Sequence, residues 1–146
     1  SGGTSFRDLK FIVRQKGSYK TLNVQRINET ERYLTGNYSL EVLTLPRLYL
    51  DVQIRQSHTT KVEIPKPGIA NILFPSSGYG ALYKRTTSGK LEHIYNFYPD
   101  IKKKTLVLLP GNYEITFRPQ MIKKTMHTMR KKFTIKSGSS TTLSFH

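Results

Sequence analysis

The sequence predicts an all-β fold, an antiparallel β-sandwich, and three observations predict it. Apolar and polar residues alternate with period two along most of the chain. The stretch LYLDVQIR (48–55) is clearest, with Leu48, Leu50, Val52 and Ile54 on one face and Tyr49, Asp51, Gln53 and Arg55 on the other. Clusters of Gly, Pro, Ser and Asn punctuate these stretches at short intervals. No segment sustains a capped 3.6-residue apolar period.

The elements follow in order. LKFIV (9–13) is an apolar run, and KTLNVQRI (20–27) places Leu22 and Val24 on one face. NYSLEV (37–42) alternates at Tyr38, Leu40 and Val42; LYLDVQIR and KVEI (61–64) continue the pattern. After PKPG (65–68) come ANILF (70–74) and PSSGYG, in which SGYG (77–80) reads as a turn. ALYKR (81–85) and LEHIYNFY (91–98) flank TTSGK, a suitable hairpin loop. TLVLL (105–109), NYEITF (112–117), KKFTIK (131–136) and TTLSF (141–145) complete the set. MIKKTMHTMRKK (121–132) lacks a helix stop signal and reads as an extended loop.

One phrase occurs twice. LTGNYSLEV (34–42) returns as LPGNYEITF (109–117), and Tyr38 aligns with Tyr113 at an offset of 75. Beyond it, Val52 and Ile54 align with Phe133 and Ile135 at an offset of 81. Thr60, Val62 and Ile64 align with Thr141, Leu143 and Phe145 at that same offset. Each half is thus expected to end in one three-strand unit, the second with six extra residues between its first two strands. Gly and Asn suit a tight turn, and the Tyr then enters the strand with its ring on the core. Two prolines and a glycine at PKPG cannot continue a central strand, so the modules divide there. The expected organisation is residues 1–5 as linker or tag remnant, 6–66 as the first β-module and 67–146 as the second.

The chain has 146 residues and no cysteine, which excludes a disulfide framework and a thiolate zinc site. No apolar run reaches the roughly 20 residues that span a bilayer. The net charge of +15 favours an anionic partner, or keeps the surface soluble through one sign of charge.

Chemistry is sparse. Asp51, Glu41, Glu63 and Glu114 fall at polar alternates of strands, the expected solvent face. No stretch suggests paired carboxylates across a cleft. His58, His93, His127 and His146 lack metal-ligand spacing, and His93 shares the face of Leu91, Tyr95 and Phe97, as a core histidine would. Tyr95 and Phe97 read as core, with Tyr98 on the opposite face. The expectation is no enzyme, no catalytic or metal site and no cofactor.

The functional lead is basic. From Ile101 to Lys136 there are ten cations and one acid, Glu114. The candidate partner-binding residues are Lys102, Lys103, Lys104, Arg118, Lys123, Lys124, Arg130, Lys131 and Lys132. Met121, Met126 and Met129 interleave with them and give an adaptable, partly apolar edge. Such an arm grips an anionic surface or an acidic protein; equally, its lysines block edge-to-edge aggregation.

YLTGNYSLEVLTLPRLY, IPKPG, PSSGYGALY, LLPGNYEITFRP and FTIKSGSSTTLSF, in that order, resemble the region following the von Willebrand factor type A domain in Bacteroidetes proteins. LLPGNYEITF by itself is similar to a phrase of carboxypeptidase-regulatory-like, prealbumin-like and PEGA-type sandwiches. The type A domain's Asp-x-Ser-x-Ser motif is absent here, so none of its metal chemistry carries over. The resemblance implies Ig-like or prealbumin-like modules in the periplasm or at the cell surface. It implies a non-catalytic accessory domain of a larger envelope protein, mediating protein–protein interaction or scaffolding. The alternative is binding of acidic glycan or nucleic acid through the basic arm 118–136.

Overall fold

A computed structural model describes residues 9–120 and 128–145. Eleven strands and no helix occur among them, so the all-β expectation holds. The chain divides into two compact units, one ending at Pro65 and the other beginning at Lys66.

The N-terminal unit is a four-stranded antiparallel sheet in the order β2-β1-β3-β4, from β1 (Lys10–Gln15), β2 (Asn23–Arg26), β3 (Gly36–Val42) and β4 (Leu48–Ile54). Its apolar face carries Val13, Tyr38 and Leu40, with Phe11, Tyr33, Leu50, Val52 and Ile54 packed against them. The opposite face is polar: Arg14 Nη1 lies 2.9 Å from Glu41 Oε1, and Arg47 Nε lies 3.6 Å from Glu41 Oε2.

Leu22 and Val24 share a face as read, but it is not the face that packs on the core, and one expected strand is absent. Leu22 and Val24 are half-exposed, and it is Asn23 and Gln25 that face the core side. The register decides this, because Val13 pairs with Asn23 and Phe11 with Gln25. Both amides are engaged: Tyr33 Oη accepts from Asn23 and donates to Gln25, whose amide nitrogen donates to the Glu29 carbonyl. Residues 61–64 form no strand, and Val62 is exposed. Alternation supplied a strand pattern, but no neighbouring strand pairs with this segment.

The C-terminal unit is a sandwich of two sheets. One has the order β10-β9-β6-β7, built from β6 (Gly78–Arg85), β7 (Leu91–Phe97), β9 (Gly111–Pro119) and β10 (Met129–Ile135). The other has the order β11-β5-β8, built from β5 (Gly68–Leu73), β8 (Lys103–Leu108) and β11 (Ser140–Ser144); β11 pairs with β5 in parallel, the only parallel pair among the described strands. The inner faces meet on Ala70, Ile72, Leu82, Leu106, Leu108, Tyr113, Ile115, Phe133 and Ile135, all buried. The Phe74 ring anchors this core, with ring centroids of Phe97, Phe117 and Phe145 at 5.1, 4.9 and 5.7 Å. SGYG is not a turn. Gly78 and Gly80 lie in β6, paired with β9, and must be glycine there, since a Cβ at Gly78 would strike the Phe117 ring and the Arg118 carbonyl and one at Gly80 would crowd Phe97.

The repeated phrase is one structural device used twice. Tyr38 pairs with Val52 and Gly36 with Ile54; Tyr113 pairs with Phe133 and Gly111 with Ile135. The offsets of 75 and 81 are therefore a shared hairpin register. Each tyrosine hydroxyl donates to the carbonyl of the leucine four residues upstream, Tyr38 to Leu34 and Tyr113 to Leu109, both at 2.5 Å. The bond ties the turn to the strand it opens. The glycines differ: Gly111 has φ +155°, whereas Gly36 adopts no positive φ.

Candidate functional site

The seven basic candidates among the described residues do not come together. β10 abuts β11, since the Lys131 ammonium donates to the Ser144 carbonyl and stands 5.8 Å from the Phe145 ring centroid. At the other edge β8 abuts β7, with Lys104 Nζ 6.0 Å from the Tyr95 ring centroid. Lys102, Lys103 and Lys104 thus occupy one edge of the sandwich, and Arg130, Lys131 and Lys132 the opposite edge. Lys104 and Lys131 lay their chains over aromatic rings and cover the core where the sheets part. Lys123, Lys124, Met121 and Met126 lie outside the described residues.

Three candidates do share a surface: Arg118, Arg130 and Lys132. Strand alternation turns them away from the core, onto the outer face of the four-stranded sheet. The register sets this face out in rows. Lys132 pairs with Glu114, Glu114 with Tyr83 and Tyr83 with His93. Arg130 pairs with Thr116, Thr116 with Ala81 and Ala81 with Asn96. Arg118 pairs with Tyr79. Gly80 pairs with Phe97 and the Gly78 amide donates to the Pro99 carbonyl, so Tyr79 and Tyr98 stand opposite one another on adjacent segments. Both rings are open to solvent, Tyr79 at 55% and Tyr98 at 68% exposure. Small side chains at Ala81 and Thr116 leave the centre of the face low.

Glu114 departs from its expected solvent exposure. It lies on the outer face but is buried at 5% exposure, and its Oε2 has no hydrogen-bond partner. Arg130 Nη1, on a side chain 65% exposed, is 3.8 Å from that oxygen. The carboxylate therefore holds the Arg130 guanidinium on this face by charge attraction rather than by a formed hydrogen bond.

His93 also departs from expectation. A β-bulge shifts the pairing between Leu82 and Tyr83, so Leu82 faces Tyr95 while Tyr83 faces His93. The skipped residue reverses the alternation, and His93 joins the outer face beside the Tyr83 ring at 5.6 Å. Its Nε2 is 2.7 Å from Asn96 Oδ1. Tyr95 and Phe97 stay on the core side, edge-to-face at 5.0 Å.

Among the described residues no three His, Asp or Glu side chains gather as metal ligands, and no helix is long and apolar enough to cross a membrane. A depression of about 390 Å³ in the N-terminal unit, lined by Gln15, Lys16, Thr35, Gly36, Asn37 and Tyr38, is wide open to solvent. Burial pushes the Tyr113 hydroxyl well above its ordinary pKa, as suits a buried hydroxyl serving as a donor.

These features define an all-β protein with two units, a repeated tyrosine-anchored hairpin and one cationic, tyrosine-bearing sheet face. No family model, no curated protein and no solved structure matches the chain.

Proposed function

We propose that this chain is a non-catalytic accessory unit of a larger envelope protein, at the cell surface or in the periplasm, that recognises a protein partner. The observation that carries this reading is the division of the basic residues. Lys102–Lys104 and Arg130–Lys132 lie on opposite edges of the sandwich, and two of these lysines cover aromatic rings. A polyanion needs a continuous cationic track. The charge here is instead partly spent on closing sheet edges, a protective use of lysine. The ordered resemblance to the region following the type A domain supports the accessory and envelope parts of the reading.

The rival reading, binding of acidic glycan or nucleic acid through residues 118–136, draws on Arg118, Arg130 and Lys132 sharing a face. Salt separates the two. Retention of the chain by duplex DNA, acidic glycan and anionic vesicles is to be measured across a salt series, beside a variant with Lys123, Lys124, Lys131 and Lys132 changed to Glu. The protein-partner reading expects no retention near 0.15 M salt, about the physiological ionic strength. Tight retention that collapses with salt and with those changes contradicts it.

A further inference from the structure

We infer that the outer face of the four-stranded sheet in the C-terminal unit is the docking surface, and that its occupant is an acidic, aromatic-bearing segment of a partner protein. This rests on the protein-partner reading and adds the place and the partner's chemistry.

Three observations carry it. The first is charge: Arg118, Arg130 and Lys132 lie on this face against one carboxylate, Glu114, which is buried. What faces solvent is therefore cationic, and its complement is acidic. The second is the placing of Tyr79, in β6, and Tyr98, just past the end of β7, on adjacent segments of this face. Both rings are more than half exposed, although the core of this unit has taken up every phenylalanine among its described residues. Two rigid amphipathic rings on neighbouring segments of one face offer contact area at low entropic cost, and they suit an aromatic or apolar side chain. The third is the kind of cation. Lysine outnumbers arginine fifteen to nine in the chain, yet of the four cations that alternation places on this face, Arg85, Arg118, Arg130 and Lys132, three are arginine. Arginine and tyrosine enriched over lysine mark protein interfaces, whereas solvated faces favour lysine.

Glu114 has a defined part in this arrangement. Its buried carboxylate stands 3.8 Å from Arg130 and holds that guanidinium on this face, beside the row of Lys132, Glu114 and Tyr83. Arg130 is thereby pre-placed for a carboxylate of the partner.

The test uses the full chain and four probes at about 0.15 M salt: a random copolymer of glutamate and tyrosine, poly-glutamate of equal length, a single-stranded oligodeoxynucleotide and heparin. Affinities are read by fluorescence anisotropy. The glutamate–tyrosine copolymer is expected to bind at least about tenfold more tightly than poly-glutamate. Tyr79→Ala with Tyr98→Ala is expected to erase that difference, and the Phe versions to retain it, since the rings rather than the hydroxyls make the contact. Arg130→Ala is expected to weaken both polypeptides, and Lys102→Ala with Lys103→Ala neither. Equal binding of the two polypeptides, or a difference the tyrosine changes leave intact, overturns the inference while leaving a protein partner elsewhere on the chain possible. Loss on changing Lys102 and Lys103 places docking at the other edge and overturns it in the same way. Tighter binding of the oligonucleotide or heparin overturns both the inference and the reading beneath it. Binding of none of the probes overturns the inference.

Discussion

Changing Tyr113 to Phe removes one oxygen and leaves the ring where it is, stacked on Phe133 at 5.5 Å. No cavity opens, so the cost is confined to the hydroxyl. In the native chain that hydroxyl donates to the Leu109 carbonyl, and both residues are buried, at 2% and 9% exposure. The variant forfeits the bond and leaves a buried carbonyl short of a partner, which costs about 1–3 kcal/mol. The same change at Tyr38 removes the equivalent bond to Leu34, whose residue is 84% exposed. Water replaces the lost donor there, and the cost falls to about 0.5–1 kcal/mol. Urea titration followed by two-dimensional amide spectra reads each unit from its own resonances. Tyr113→Phe is expected to lower the midpoint of the C-terminal unit clearly, with unchanged slope, and Tyr38→Phe to lower that of the N-terminal unit slightly. A Tyr113→Phe cost below about 0.5 kcal/mol, or a larger cost at Tyr38, would refute the claim that burial of the acceptor sets the magnitude.

Further predictions follow from the same packing. Gly78→Ala forces a methyl against the Phe117 ring and the Arg118 carbonyl, and is expected to destabilise the C-terminal unit by about 1–3 kcal/mol; Gly36→Ala, at a glycine with ordinary φ where a methyl meets only the Tyr38 ring at ordinary contact distance, is expected to be neutral or to stabilise by up to about 1 kcal/mol. Thermal or urea unfolding checks both. Phe74→Ala, at the centre of the aromatic cluster, is expected to cost about 3–5 kcal/mol by the same assay. The raised Tyr113 pKa gives a pH dependence. Below the ordinary tyrosine pKa, near 10, both folded and unfolded chains keep the proton and this group contributes no slope. Above it the unfolded chain loses the proton first, so stability falls with rising pH by up to about 1.4 kcal/mol per unit. Unfolding measured from pH 9 upward checks this, and Tyr113→Phe is expected to flatten that part of the slope.

Much of this architecture was legible in the sequence because strand alternation is a local property. β4 could be read face by face, and the double GNY phrase announced a shared hairpin whose register the structure bears out pair by pair. What escaped depends on pairing between strands. Leu22 and Val24 carry the stronger apolar signal, yet Val13 and Phe11 of β1 place Asn23 and Gln25 on the core side. A bulge opposite Leu82 and Tyr83 reverses the alternation of β7 and moves His93 to the outer face. Neither event leaves a mark in the residues concerned. Residues 61–64 had the alternation of a strand but no strand to pair with.

The candidate site divides along the same line. The basic run from Ile101 to Lys136 was plain in composition, but its described members separate onto two edges and one face once β8 and β10 take opposite ends of the sandwich. The tyrosine pair was hidden for a related reason. Tyr79 stood in a phrase read as a turn, and only the pairing of residues 78–84 with β9 shows that phrase to be strand. The order of strands in the sheet, rather than any motif, brings Tyr79 beside Tyr98 and Arg118.

The central claim is that the outer face of β10-β9-β6-β7 is the working surface of this chain. Amide shift mapping tests it most directly, with the labelled full chain titrated with the glutamate–tyrosine copolymer. The account predicts perturbations concentrated on Tyr79, Ala81, Asn96, Tyr98, Thr116, Arg118 and Arg130. Perturbations concentrated on Lys102–Lys104 and β8, or spread evenly over the cations of both units, would contradict it.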